Sequence, residues 1–195
     1  MEYRDARAEF WRRHFEVAVP YDAYLNASDP TKAAKWTNLQ AKIPPLSEDQ
    51  RHRLSGFGRR MNVLALSGVW CGDCVRQGPM LHQIAHAAGP EIDLRWIDRD
   101  ASAELAEELR ILGGKRVPVV VFLSEDFFEA GRFGDRSLIA YRAKARREVG
   151  PACDAGITPP PPEELAAELE EWVAVFERML HMLRLSPLLR ERYGD

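Results

Sequence analysis

The chain has 195 residues, 46% of them hydrophobic and 29% charged, with a formal net charge of −3. That length carries one substantial core with helix to spare, and the near-neutral balance gives no reason to expect nucleic acid. The opening Met1-Glu2-Tyr3-Arg4-Asp5 has no apolar signal region and no window reaches the length of a membrane span, so a cytoplasmic protein without a membrane partner is expected.

Residues 2–19 read as an amphipathic helix with Tyr3, Phe10, His14 and Val17 on one face, stopped by Pro20. Helical stretches over 22–27 and 30–41 precede the Pro44-Pro45 break. Ser47-Glu48-Asp49-Gln50 has the spacing of a capping box and opens another short helix. The texture then changes. The apolar run 61–66 reads as a buried strand and 74–88 as a helix, with Met80, Leu81, Ile84, Ala85 and Ala88 at helical spacing and a kink expected at Pro79. Residues 91–97 alternate as a half-buried strand. Leu105, Leu109 and Leu112 line a helix over 102–112, which Gly113-Gly114 would cap. The β-prone run 117–123 and the segment 127–133 form a hairpin, and a core helix follows over 136–149.

Residues 150–162 hold five prolines and two glycines in thirteen positions, the composition of a linker. The helix at 163–185 carries Leu165, Leu169, Trp172, Val173, Phe176, Met179, Leu180 and Leu183 as one stripe, with acids in its first turns. The basic segment 132–147 and the acidic run 163–171 read as solvated helix faces. The organisation expected is a helical extension over 1–60, a core domain over 61–149, the linker, and a C-terminal amphipathic helix from 163 to 195.

Trp70-Cys71-Gly72-Asp73-Cys74 joins the first buried strand to the 74–88 helix. Two cysteines with two residues between them can close a disulfide within one helical turn. At a helix N-terminus the first sulfur faces unpaired backbone N–H groups and the positive end of the macrodipole, which both favour the reactive thiolate. The competing use is half of a structural zinc site, for which Cys153 and a histidine are the remaining candidates. Otherwise Cys153 is an inert thiol or a second resolving partner. His82 and His86 have a metal-ligand spacing but no convergent acid or cysteine, so they read as surface residues, and Arg76 reads as a solvated arginine.

The order β-α-β-α-β-β-α over 61–149, with a Cys-x-x-Cys after its first strand, resembles the thioredoxin fold. Pro79, five residues after Cys74, matches the kink of the family's active-site helix, and the stretch from Gly78 to Ala85 looks like that helix. Trp96-Ile97-Asp98 resembles the end of its next strand, and Val117-Pro118 before Val119-Val120-Val121-Phe122 looks like its cis-proline element. The resemblance implies an α/β fold, a central mixed sheet of about four strands flanked by helices, here with helical N- and C-terminal extensions. It implies that Cys71 attacks as thiolate, that Cys74 resolves the mixed disulfide, and that Trp70 packs the active-site loop. A cis Pro118 would expose the backbone of Val117 to a substrate strand.

Departures from the family matter. Gly72-Asp73 stands between the cysteines in place of Gly-Pro. Ala65 occupies the place of the buried acid that takes the second cysteine's proton, and Leu94 that of its lysine partner. Asp73 or water would then accept the proton, or Asp73 is a plain first-turn acid. Its charge opposes a thiolate at Cys71, which points to a reducing centre.

The function expected is a cytoplasmic thiol–disulfide oxidoreductase without metal or organic cofactor. It would act on protein or low-molecular-weight disulfides and be recharged by an external reductase. Two other classes remain: a thioredoxin-fold binding module with incidental cysteines, and a structural zinc protein using Cys71, Cys74, Cys153 and a histidine. Trp11, Trp36 and Trp172 are expected to pack the added helices on the sheet, and the 163–183 stripe either joins that packing or forms a homodimer or client surface.

Overall fold

The computed structural model describes residues 4–149 and 161–195, so Cys153 and most of the expected linker lie outside the described residues. Four helices come first: α1 (Ala8–Val17), α2 (Tyr21–Asn26), α3 (Pro30–Gln40) and α4 (Glu48–Arg53). The last opens on the expected capping box, in which the Ser47 hydroxyl accepts from the Gln50 N–H while the Gln50 side chain accepts from the Ser47 N–H. The buried face of α1 is Trp11, His14 and Phe15. Val17, expected on that face, is 65% exposed, because the chain leaves the helix there and turns along the sheet.

Then come β1 (Met61–Ser67), α5 (Gly72–Ala88), β2 (Ile92–Asp98), α6 (Ala103–Glu108), β3 (Val119–Leu123), β4 (Glu129–Gly134) and α7 (Leu138–Val149). The sheet order is β2-β1-β3-β4. β1 and β2 are parallel, as the alternation implies, whereas β3 runs antiparallel to both β1 and β4. This is the mixed four-stranded sheet flanked by helices that the resemblance predicts. β1 and β3 are buried along their whole lengths, as central strands covered on both faces must be.

The edge strand β2 is closed by the N-terminal segment. Val19 and Trp96 exchange both backbone hydrogen bonds, at 2.9 and 2.7 Å, in an antiparallel bridge. That short pairing, cut off by Pro20, covers an edge that would otherwise offer unpaired donors and acceptors. α6 ends earlier than its leucine pattern suggests. Ile111 and Gly114 bond each other reciprocally at 3.0 Å around Leu112 and Gly113, which both have positive φ. Gly113 therefore serves a tight turn rather than a helix cap, and Leu112 is 90% exposed at its tip.

The C-terminal α8 (Pro162–Leu185) and α9 (Pro187–Tyr193) complete the chain. All eight residues of the expected α8 stripe are buried within the molecule, with Trp172 edge-on to Phe133 and Phe176 edge-on to Phe122. The stripe therefore packs inside the molecule, against the sheet and the helices beside it. The acidic run is not a solvated face either. Glu168 is fully buried, accepting from Arg76 and from the Ser137 hydroxyl, and Glu170 and Glu177 accept from Arg53. Glu171 caps α7, taking the N–H groups of Leu138 and Ile139. Among the basic residues of 132–147, Arg132 lies on β4 and Arg136 precedes α7, each in ion pairs. Side chains from residues 11–54, the sheet and α8 share one hydrophobic core.

α3 packs along α5, and at one point the two come unusually close. A Cβ at Gly78 would lie 1.9 Å from the Trp36 ring, so only glycine lets the indole lie on α5 at this point. Gly78→Ala is expected to destabilise the protein by about 1–3 kcal/mol, as overpacked cores do. A lower urea midpoint at an unchanged m-value is the expected reading, and an unchanged midpoint would refute the close approach.

Candidate functional site

Cys71 is the N-cap of α5, with φ −81° and ψ 124°, and its side chain makes no cap hydrogen bond. The sulfur thus stands at the start of the helix, in front of the first-turn N–H groups. Its thiol lies 3.4 Å from the Val117 carbonyl oxygen, and the Val117–Pro118 peptide is cis. Two elements separated by 46 residues therefore meet at one sulfur. Cys74, one turn into the helix, is fully buried. Both cysteines are free thiols.

The two sulfurs differ in acidity. The hydrogen bond from the Cys74 thiol draws Cys71 down to about 7, helped by the N–H groups of Cys74 and Asp73 and opposed by burial and by the Asp73 charge. Burial pushes Cys74 well above the ordinary thiol range, and the neighbouring Cys71 adds to the rise. One sulfur is prepared as a nucleophile and the other is held as an acid.

The loop between β1 and α5 is held from three sides. The Trp36 indole N–H donates to the Val69 carbonyl at 3.0 Å, and the Cys71 N–H donates to the Gly68 carbonyl at 2.9 Å. Trp70 folds back so closely over Gly68 that a Cβ there would lie 2.8 Å from its indole. The outer face of Trp70 stays 44% exposed and carries the Arg99 guanidinium 4.5 Å from the ring centre.

The Asp73 carboxylate is engaged by a residue outside its own helix. Both its oxygens bind Arg136, at 2.9 and 2.5 Å. Arg136 also reaches Asp135 at 3.5 Å, and Asp135 takes Arg116 at 3.1 Å and the Tyr141 hydroxyl. This chain of charges runs from the second residue of α5 to the residue before Val117. It ties the cysteine loop to the proline loop. Gln77, fully buried, adds a second tie by donating to the Asp135 carbonyl at 2.9 Å.

Arg76 is not solvated. It binds Glu164 at 2.6 Å and also Glu168, so α8 grips the active-site helix directly. Burial pushes the Glu168 carboxyl up, against the pull of Arg76 and Ser137. His82 stacks on Tyr21 with ring centres 4.1 Å apart, and burial lowers its pKa. Among the described residues no three His, Cys, Asp or Glu side chains gather as a metal site, and Cys153 lies outside them. Ala65 is buried in β1 between Trp96 and Val120, so no acid stands at that point behind Cys74. Leu94 lies beside Val63 on β2.

Sequence reasoning reached Cys71, Cys74, Trp70, Gly72, Asp73, Val117 and Pro118, and the fold brings them to one end of the sheet. It did not reach Arg136, Asp135 or Gln77. Arg136 sits 63 residues from Asp73, and no local pattern couples them.

The family described as Thioredoxin matches residues 18–145. Among solved structures, a protein of unknown function from Pseudomonas aeruginosa is 19% identical, covering 88% of this chain and 96% of that one, with a TM-score of 0.68. An HIV epitope scaffold is 21% identical, covering 95% of this chain and 98% of its own, with a TM-score of 0.59. Mitochondrial thioredoxin 3 of Saccharomyces cerevisiae, in its oxidised form, is 20% identical over 54% of this chain and 95% of its own, with a TM-score of 0.35. The first two likenesses show the fold. No curated protein matches.

Alkylation by iodoacetamide should reveal the split between the sulfurs. The rate at Cys71 is expected to fall about tenfold per pH unit below about 7 and to level off above it, while Cys74 stays unreactive. Arg136→Gln leaves the Asp73 charge unneutralised beside Cys71, so the midpoint should rise by about 0.5 unit, the size expected of a partly exposed ion pair. A midpoint that falls in this variant would contradict the assigned charge chain.

Proposed function

This chain belongs to the thioredoxin family, and from that premise we propose that it is a thiol–disulfide oxidoreductase, working as a disulfide reductase in the cytoplasm. The observation that carries the reading is the placement of two free thiols at one helix end, Cys71 at the N-cap of α5 facing the Val117 carbonyl and Cys74 buried one turn in, with the first drawn down to about 7 and the second pushed up by burial. No metal or organic cofactor is required, because the two electrons reside on the sulfurs.

The Cys71 thiolate attacks one sulfur of a substrate disulfide. The substrate S–S bond breaks, the first substrate thiolate leaves and takes a proton from water, and a Cys71–substrate disulfide forms. Cys74 then loses its proton and attacks the Cys71 sulfur. The second substrate thiolate leaves and is protonated, and the Cys71–Cys74 disulfide remains. The substrate has gained two electrons and the protein has lost two, which an external dithiol reductase must restore. An extended client would lie along the Val117 backbone, whose carbonyl already faces the Cys71 sulfur. Gly72 leaves the space in front of α5 open, since a Cβ there would meet nothing within 4 Å. Protein disulfides and low-molecular-weight disulfides both fit this chemistry.

Cys74→Ser should stop the sequence after the first attack and hold clients on Cys71 as mixed disulfides that dithiothreitol releases. A redox titration of the unaltered protein should show one reversible two-electron couple. If the titration finds no reversible couple and the variant captures no disulfide-bonded client, the chain is a binding module built on the same fold.

A further inference from the structure

Gln77 lies three residues beyond Cys74 on α5 and is fully buried. A buried amide costs free energy unless it is bonded, and this one is bonded at one end only. Its Nε2 donates to the Asp135 carbonyl at 2.9 Å and to the Asp73 carbonyl, a turn back in its own helix, at 3.3 Å. Its Oε1 has no partner among the described residues. The bond to Asp135 is the one that leaves the helix, so it shows what the side chain holds.

Asp135 belongs to a short segment wedged between α5 and the proline loop. Gly134, the last residue of β4, pairs with Val119 in the β3–β4 register. A Cβ on Gly134 would lie 2.5 Å from the Pro118 carbonyl oxygen and 3.1 Å from the Val119 Cα, so the backbone here lies directly on the proline segment. The Asp135 carboxylate takes Arg116 at 3.1 Å. Residues 134 and 135 thus touch both chain neighbours of Val117, Arg116 before it and Pro118 after it. On their other side stands Gln77. The Val117 carbonyl, held between those neighbours, is the group that faces the Cys71 thiol at 3.4 Å.

We propose that Gln77 is a positioning residue for polypeptide disulfides. Through the 134–135 segment it sets the gap between the Cys71 sulfur and the Val117 backbone, so that an extended client pairs with Val117 and presents its disulfide to Cys71 at the same time. The inference rests on the oxidoreductase reading above. The two demands must be met together, and a misplacement of about 1 Å can cost about a hundredfold in rate. The Asp73–Arg136 pair spans the same gap, but it is half-buried and weakened by salt. Gln77 spans it with a neutral bond inside the core, where hydrogen bonds are stronger. A small disulfide makes no such demand, because it needs only the Cys71 thiolate. The acidity of that thiol is set chiefly by Cys74, burial and Asp73, so removing the amide leaves the nucleophile as it was.

Two disulfides separate these demands. Insulin, with dithiothreitol as the final reductant, is the polypeptide probe, and 5,5′-dithiobis(2-nitrobenzoate) is the small one. Gln77→Met keeps the length and helix propensity of the side chain and loses the donor. Its kcat/KM for insulin should fall about tenfold, less than the cost of a full 1 Å misplacement because the Asp73–Arg136 pair remains. Its rate of attack on the small disulfide should stay within about twofold, with the pH midpoint of Cys71 alkylation unchanged. Gln77→Leu also lacks the donor and should show the same split, which tests the proposal where the methionine variant does not fold. Insulin reduction at the unaltered rate in the variants overturns the proposal. So does an equal fall with both disulfides, which would mark damage to Cys71 or to packing. Reduction of the small disulfide but not of insulin by the unaltered protein overturns it as well, because a polypeptide client is then not accepted. Failure of the unaltered protein to reduce either disulfide would instead sink the oxidoreductase reading itself, and it needs no variant to be seen.

Discussion

The contact between Trp36 and Gly78 is where the helices before the sheet and the cysteine site become one object. The indole lies where a side chain on α5 would otherwise be, and from there its N–H reaches the Val69 carbonyl at 3.0 Å. A single fully buried ring thus sets the distance between α3 and α5 and the position of the loop that carries Cys71. Tyr24 and Trp96 pack on the same ring, so α2 and β2 are placed by it too. The helices before the sheet are part of the site's foundation rather than an attachment to it.

The far side of α5 is gripped by charge. Arg76 meets Glu164 and the buried Glu168, and Asp73 meets Arg136. Buried pairs of this kind contribute little net stability, because desolvation consumes most of the Coulombic gain, but removing one partner strands the other. Their effect is to favour one seating of α8 on α5, with Ser137 and the start of α7 held by neighbouring carboxylates of the same helix. The apolar stripe gives α8 its affinity for the sheet. The acids give it a register.

The parts legible in the sequence were those written locally. Strand alternation, the capping box at Ser47, the amphipathic period of α8 and the pentapeptide from Trp70 to Cys74 each sit within one element, so spacing alone reveals them. The failures share a physical cause. Glu168 reads as one acid among many until Arg76, 92 residues away, is folded against it. Gly78 looks like an ordinary small residue before a helix proline, and only the approach of Trp36 shows why no other residue fits. Leu112 carries the leucine spacing of α6 yet lies beyond its end, because two successive positive φ angles turn the chain there. Val19 has no sequence signal for pairing with Trp96 across 77 residues. Charge signs and hydrophobic periods tell which face is unusual, but not which partner will meet it.

Two demands meet at Cys71 and Cys74, and they conflict if one acid must serve both. The attacking sulfur needs positive surroundings to hold its thiolate near neutral pH, whereas the resolving sulfur needs a base. A free carboxylate at Asp73 would sit two residues from Cys71 and push its pKa up, as its charge already does. Pairing Asp73 with Arg136 mutes that push and removes the acid as a base for Cys74. Ala65, buried between Trp96 and Val120, puts no carboxylate at that point of β1 either. The low pKa of the first sulfur is left to the Cys74 thiol and, after it, to the N–H groups at the helix start.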